Sequence, residues 1–525
     1  MKSASSHSPH DHGACAAPLT PAPLPLAGGE GCAPSPRLRG EGWGEGAFSH
    51  TNDARPSPRR PLLIPLACAA ALLSACAVGP DYVKPGAPTP QNYKESQGWQ
   101  PAAPQDDRAR GDWWAVFGDA ALDALMQQVD IDNYTIQAAA ARYRQAQELT
   151  SQAGAALYPT LRANAAKTRS QGQQSTTTTG NLQDNYSALL TAAWELDLWG
   201  GLSRGREAAS ATEEASAADL EAARLAARAQ LATSYFQLRV LDAQQALLRD
   251  TVQAYERALQ ITRNRLASGV VTPADVAQAE SQLESARTSL LDAGLARAQT
   301  EHAIALLVGK APADFSLAVG ALTGAVPEVP AGVPSTLLQR RPDIAAAERR
   351  VAAANAQIGV AVAAFYPNLT LSAQGGYQSR TYADWFTLPN RIWSVGPQLA
   401  ATLFDGGARS AAKRGAEAAY DAEVAAYRQT VLIAFQEVED NLAALHSLAQ
   451  QQQTQEAARD AAQTSLTIVS NQYRAGTVTY LNVVQAQTTL LNAENSLLNI
   501  RNRRLAASVG LIKALGGGWA MPAAS

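Results

Sequence analysis

Cysteine is the first scarcity. The 525-residue chain has 4, at positions 15, 32, 68 and 76, and none beyond. That excludes a disulfide framework or a cysteine metal site from the bulk of the protein. Histidine is nearly as thin. Past residue 76 only His302 and His446 remain, each alone inside a helical pattern, and both read as helix-surface or interface residues. Aromatics amount to 6%, too few for an aromatic-rich globular core. Neither sign of charge dominates, the formal net charge being −3. The basic patch that marks nucleic-acid binders is missing, so no nucleic-acid partner is expected. The ingredients of nucleophilic or metal catalysis are nearly absent, and no enzyme activity, cofactor or metal is expected. Asp405 and Glu195 are the strand-end acids worth weighing, and neither has a histidine, cysteine or serine in view. Ala, Leu, Gln, Arg and Glu dominate the middle of the chain instead, the composition of long helices.

Residues 1–58 are rich in Pro, Gly and Ser and show no apolar period, so they cannot bury enough surface to fold. Arg59-Arg60 follow, then the apolar run Leu62 to Ala75, then Cys76. A basic stretch followed by an apolar run of this length is a secretory signal, too short to span a membrane stably. The boundary Leu73-Ser74-Ala75-Cys76 resembles the bacterial lipobox, in which the cysteine is acylated and the signal cut away. The competing reading is a small-residue cleavage site ahead of a buried cysteine. Ala77 follows the cysteine; an Asp there typically retains lipoproteins at the inner membrane, so Ala77 favours the outer one. A start codon assigned too early explains the residues ahead of the signal.

The rest of the chain is written twice. Leu157-Tyr158-Pro159 recurs as Phe365-Tyr366-Pro367, Gly200-Gly201 as Gly406-Gly407, and Gly269 with Thr272 as Gly476 with Thr479. Val276, Leu283, Leu290, Arg297 and Ile304 recur as Val483, Leu490, Leu497, Arg504 and Leu511, the arginine in the apolar column included. A repeat this long is a duplicated half-protein, with approximate twofold symmetry within one chain.

From Leu202 to Ala267 there is no proline, and Leu231, Leu238, Val252, Leu259 and Leu266 keep a seven-residue register, with Gln245 the polar exception. Such heptads predict coiled-coil packing in a rod roughly 100 Å long. Arg409 to Arg474 repeats the pattern. Each rod ends at a glycine, Gly269 or Gly476, suited to a left-handed cap, and a second helix starts at once, capped by Thr272 before Pro273 in the first copy. These are two helical hairpins with tight tips. Between the helices, 161–170, 186–198, 368–377 and 393–404 alternate loosely and match transmembrane β-strands in length. Polar connectors at 172–185 and 378–391 join them, and Trp194, Trp199, Trp385 and Trp393 fall where an interfacial girdle would sit. The other reading is a soluble sandwich with tryptophans in its core. Four strands cannot close a membrane barrel alone, so the chain must oligomerise; three copies give twelve strands.

With these residues in view the chain resembles the TolC family of outer-membrane efflux proteins, in its lipoprotein branch paired with RND pumps. The carriers are Cys76-Ala77-Val78-Gly79-Pro80-Asp81-Tyr82, Arg340-Arg341-Pro342-Asp343-Ile344 with Ala347-Glu348, Gly359, Leu403-Phe404-Asp405-Gly406-Gly407 and Tyr473-Arg474-Ala475-Gly476. The resemblance implies a mainly α fold with a small β part: a homotrimer whose twelve-stranded transmembrane β-barrel continues into a long coiled-coil α-barrel. It implies a lipid-anchored channel in the bacterial outer membrane with a large periplasmic part. Small toxic compounds leave through it unchanged, a periplasmic adaptor docks on the tips at Gly269 and Gly476, and an inner-membrane RND pump supplies the energy. It also implies a constriction just past the second tip. Leu481 matches an apolar gate position, and Tyr473 one that ties neighbouring hairpins together. Asn482 and Gln485 match positions that carry aspartate in well-known members. Both are amides here, which puts a negative ring with divalent-cation affinity in doubt, although the first copy holds Asp275 at the position equivalent to Asn482. The expected organisation is a signal and extension through 75, an extended linker over 76–110, a first repeat over 111–318, a connector over 319–341, a second repeat over 342–518 and a tail. A one-step protein-secretion duct of the same fold, and a pore-less periplasmic coiled-coil scaffold, are the alternatives.

Overall fold

A computed structural model describes residues 77–95, 112–171, 182–322, 326–327 and 340–517. Cys76 lies outside them. After a 3-10 turn at Trp113–Phe117 the elements run α1 (Ala120–Asp132), α2 (Tyr134–Ala155), β1 (Thr160–Gln171), β2 (Leu182–Leu196), α3 (Gly201–Ala267) and α4 (Pro273–Leu307). The second half follows with α5 (Pro342–Ala363), β3 (Asn368–Ser379), β4 (Arg391–Ala400), α6 (Ala408–Arg474) and α7 (Tyr480–Ala514). The duplication is met in the lengths. Helices α2 and α5 each have 22 residues, α3 and α6 each 67, α4 and α7 each 35. At 1.5 Å per residue the two long helices are rods of about 100 Å.

Helix starts are secured by side chains where the sequence provides them. Asp119 accepts from the amides of Ala121 and Leu122 at the head of α1, and Asn133 from Thr135 and Ile136 at the head of α2. Asp197 reaches past Gly200 to accept from Leu202 and Ser203 at the head of α3. Asp405 does the same for Gly407 and Arg409 at the head of α6, and it also pairs with the Arg409 guanidinium. These contacts hold the Asp405 carboxyl at about 2, below the usual carboxylate range, so it is a fixed anion and a helix cap.

The apolar core is a belt around the middle of the rods rather than a seam along them. Leu122 and Met126 of α1, Tyr235, Phe236 and Leu238 of α3, and Tyr427 and Leu442 of α6 are buried together there. Phe117 packs on Phe236 at 4.8 Å between centroids. A buried ion cluster lies beside the belt. Asp242, with 1% of its side chain exposed, pairs with Arg239 and Arg297. Arg297 also donates to the Leu317 carbonyl and Arg239 to that of Ala318, so the cluster clamps the segment leaving α4. This is what the arginine in the apolar column is for. Gln245, the polar exception in the heptads, donates to the Ala293 carbonyl and accepts from Arg249.

The strands form one antiparallel sheet in the order β1-β2-β3-β4. Their limits differ from the sequence expectation. Strand β2 begins at Leu182, because Leu182 to Asn185 still pair with β1, and it ends at Leu196, where Asp197 turns to cap α3. Strand β4 ends at Ala400, where its pairing with Asn368 ends, so Leu403 and Phe404 fall outside it. No helix among the described residues is long and apolar enough to cross a membrane.

Residues 77–95 run along the helices as a strap. Val78 donates to the Trp199 carbonyl, Asn355 to that of Pro80, and Arg204 pairs with Asp81 at 2.9 Å. Tyr82 donates to Glu348, which is buried. Gly79 has φ +104, and a Cβ there would stand 2.5 Å from the Gly359 Cα. Gly79→Ala should therefore lift the strap, at a backbone cost on the order of 1–3 kcal/mol before any clash. Limited proteolysis should cut the variant within 77–95 faster than the unmodified protein.

Candidate functional site: a lipid-facing sheet and two hairpin tips

Strand pairing sorts the sheet's side chains onto two faces. Leu190 lies opposite Ala163 and Gly375, Trp194 opposite Leu371, and Leu371 opposite Pro397. Trp393, Val395 and Leu399 continue this apolar face. On the other face stand Asn164, Thr191, Thr370, Ser372, Gln374 and Gln398. The apolar face is uncovered: Trp393 and Val395 are each 71% exposed, and Leu161 73%. Water does not tolerate such a surface, and no layer among the described residues packs on it, so the soluble-sandwich reading fails. Apolar-out and polar-in alternation over 10 to 15 residues per strand is the pattern of a membrane barrel wall. The aromatic girdle is present at the helical end. Trp199 stacks on Tyr366 at 4.7 Å and donates to the Pro367 carbonyl, while Trp194 donates to that of Leu157.

At the far end of the rods the two hairpins turn. Gly269 has φ +71 and Gly476 φ +79, left-handed values that favour glycine, and a Cβ at either would meet open space. The turns are alike in backbone and unlike in polar detail. In the first, Thr272 and Asp275 form a reciprocal capping box, with Asp275 accepting from both the amide and the hydroxyl of Thr272. In the second, Asn482 only accepts from the Thr479 hydroxyl at 2.9 Å, and the helix start has no side-chain cap. So Asp275, expected beside the aperture, is occupied as a helix cap. Leu481, Asn482 and Gln485 are exposed together on one side of the first turns of α7, while Val483, Val484 and Ala486 face inward.

Inside the tips lies a second apolar cluster that includes Tyr255, Leu259, Leu283, Tyr473, Tyr480 and Val484, drawn from all four hairpin helices. Burial pushes the Tyr480 hydroxyl up to about 12 and that of Tyr255 upward as well, so both stay neutral. Tyr473, expected to tie neighbouring hairpins, ties the two hairpins of its own chain. Arg265 of α3 donates to its carbonyl at 3.0 Å and sits 4.4 Å over its ring. The Tyr473 hydroxyl is shielded and has no hydrogen-bond partner among the described residues. Gln282 bridges Tyr255 and Thr488, a further cross-link between the hairpins. Sequence reading missed Arg265 and Gln282 because each lies on a polar helix face with no local signal of a partner in the other repeat.

A membrane-facing sheet continued by paired helical hairpins defines a subunit of an outer-membrane channel. The chain belongs to the outer membrane efflux protein family, whose model matches residues 125–310 and 333–517, one match per repeat. It is 34% identical to the pyoverdine export outer membrane protein OpmQ of Pseudomonas aeruginosa over 465 residues, covering 86% of this chain and 96% of that protein. It is 33% identical to the toluene efflux pump outer membrane protein TtgC of Pseudomonas putida, covering 87% and 96%. Among solved structures, the outer-membrane channel OprN superposes with a TM-score of 0.79 at 29% identity, over 85% of this chain and 100% of that one. The open-state MtrE channel of Neisseria gonorrhoeae superposes at 0.75 and 28%, over 84% and 98%. The protein is thus an outer-membrane efflux channel, and its relatives are transport proteins.

The Arg265–Tyr473 contact generates a prediction. Arg265→Gln removes a cation–π contact and a main-chain hydrogen bond worth about 1 kcal/mol or more together. Amide exchange over residues 470–484 should accelerate several-fold, while exchange in the mid-rod belt should not change.

Proposed function

We propose that the protein is the passive exit duct of a tripartite efflux pump, a lipid-anchored homotrimer that receives small toxic compounds from an adaptor and an inner-membrane RND pump. The observation that carries this reading is the four-stranded sheet with one uncovered apolar face and two open edges above a pair of hairpins. Edges are not tolerated in hydrocarbon, and three copies close twelve strands. Leu403 and Phe404, 94% and 89% exposed just past the end of β4, would be covered by the next copy. Small-molecule cargo is favoured over protein secretion by the relatives, named for pyoverdine and toluene export. Lipidation at Cys76 fits the strap: Ala77 packs against Gly200, at the level where the strands end and the membrane interface begins. The adaptor docks on the tips at Gly269 and Gly476.

In this reading three copies of Leu481, Asn482 and Gln485 form the narrow ring, held shut by amide hydrogen bonds and by leucine packing. Between about pH 5 and 8 only histidine, among unperturbed side chains, changes charge. Among the described residues the tips hold none, His302 and His446 lying far along the helices. Deletion of the gene should sensitise cells to solvents, dyes or antibiotics; loss of a secreted protein with unchanged sensitivity would instead establish the secretion duct. Cys76→Ser should abolish palmitate labelling. In planar bilayers, conductance should vary little over that pH range and resist millimolar divalent cations. Asn482→Asp with Gln485→Asp should install both sensitivities without loss of assembly. Tight divalent block of the unmodified channel would place other acids, Asp275 foremost, at the constriction.

A further inference from the structure

The end of the sheet farthest from the helices carries a feature that export does not use. The β3–β4 loop does not project freely. Thr381 donates to the Asp384 carboxylate at 2.7 Å, and Asn390 donates to the Asp384 carbonyl at 2.7 Å. This folding lays three loop rings against two strand rings. Tyr382 and Trp385 lie 5.8 and 5.7 Å from Tyr186, and Phe386 lies 5.5 Å from Tyr377. Trp385 and Phe386 stack at 4.8 Å. By the strand register Tyr186 and Tyr377 stand on the same face as Leu190, Leu371 and Trp393, the lipid-facing one. The loop therefore folds over the outside of the barrel wall, not over its mouth.

Cations flank this aromatic shelf on both sides. Lys167 lies opposite Tyr186, its ammonium 5.1 Å over the ring, and Arg169 is one pair further along the same face. Arg391 lies opposite Tyr377 on the other edge strand, exposed, and in no ion pair among the described residues. Among the described residues the carboxylates at this rim are Asp184, 3.5 Å from Arg169, and Asp384, which accepts from the Thr381 hydroxyl. A plain interfacial girdle needs tryptophan and tyrosine alone. Cations in excess at a lipid-facing rim, above an apolar stripe, complement an anionic headgroup whose chains run down that stripe. The cations sit on β1 and β4, three strand spacings across the sheet and two residues along it, about 16 Å apart. That is roughly the length of a disaccharide with a phosphate at each end.

We propose that this rim binds the phosphorylated glycolipid of the outer leaflet, with sugars on the Tyr186, Trp385 and Phe386 shelf and phosphates at Lys167 and Arg391. The inference rests on the barrel facing lipid and not on what the channel exports. The test is native mass spectrometry of the purified full-length protein in neutral detergent, titrated with bisphosphorylated lipid A, with its dephosphorylated form and with phosphatidylglycerol. Bisphosphorylated lipid A should be retained at least about tenfold more tightly than either. Lys167→Gln with Arg391→Gln should erase that preference, and Trp385→Ala with Phe386→Ala should weaken retention of the phosphorylated and dephosphorylated forms alike. Assembly and bilayer conductance should stay as in the unmodified protein. Equal retention of the three lipids, or full retention by the charge variant, would overturn the glycolipid site while conductance upheld the channel. A change of oligomeric state in the charge variant would show that the rim meets a second copy and would equally overturn it. Loss of conductance in the unmodified protein would count against the channel reading instead.

Discussion

The open edges of the sheet are the constraint on which everything else in this molecule depends. In the single chain β1 and β4 each pair on one side only, leaving a row of backbone N–H and C=O groups unsatisfied. In water such groups are solvated; in hydrocarbon each costs several kcal/mol, and a whole row exceeds the 5–15 kcal/mol by which a typical fold is stable. A chain that faces lipid with this sheet has to find its closing strands in other copies. The even strand count per chain follows from the same logic. Each repeat sends one strand out and brings one back, so both helical hairpins leave the membrane from the same side. Duplicating the half-protein adds wall and rods together, which adding one strand would not.

The rods pose a second problem. Helices in proteins draw most of their stability from packing rather than propensity, and these 67-residue rods are rich in alanine, which offers little side chain to pack. Burial is concentrated at two levels instead, the mid-rod belt and the tip cluster. Polar fastenings complete the frame. The Asp242 ion cluster clamps the segment after α4, and the strap ties α3 and α5 together through Gly79, Asp81 and Tyr82. A Cβ at Gly79 would meet the Gly359 backbone, and one at Gly359 would meet the Arg204 side chain at 2.9 Å, so the two glycines, far apart in sequence, make room for different neighbours.

How legible this was in the sequence depended on how local each signal is. Heptads, tip glycines and the repeat are read along one chain segment, and the helices came out to within a residue at Gly201 and Ala408. Strand ends were less legible, because a strand stops where its partner stops: β4 ends with its pairing to Asn368, although Leu403 and Phe404 keep an apolar rhythm. Contacts between repeats left no trace in the pattern. Arg265 reaches Tyr473 across the two hairpins, and the aromatic shelf joins Tyr186 of one repeat to Trp385 of the other. Resemblance named Tyr473 and Asp275 as aperture residues, but it could not say that the capping box occupies Asp275.

The two repeats have kept their geometry and lost their polar identity, and the difference has a direction. Helix lengths match residue for residue, since tips that ended at different levels would leave one hairpin without its share of the tip cluster. Polar partners are under no such demand. Arg297 meets Asp242 and Glu301, whereas its counterpart Arg504 meets Gln452. Asp275 closes a capping box, whereas Asn482 accepts one hydroxyl. A capping side chain stabilises a helix start by about 1 kcal/mol, so the first tip is the better secured and the second is the one that can shift at lower cost. The restraint on that second hairpin comes from the first, through Arg265 on Tyr473 and Gln282 on Thr488. Any widening of the tips by the second hairpin must therefore break contacts within the chain. The first tip, closed by its capping box, is the fixed reference against which the second would move.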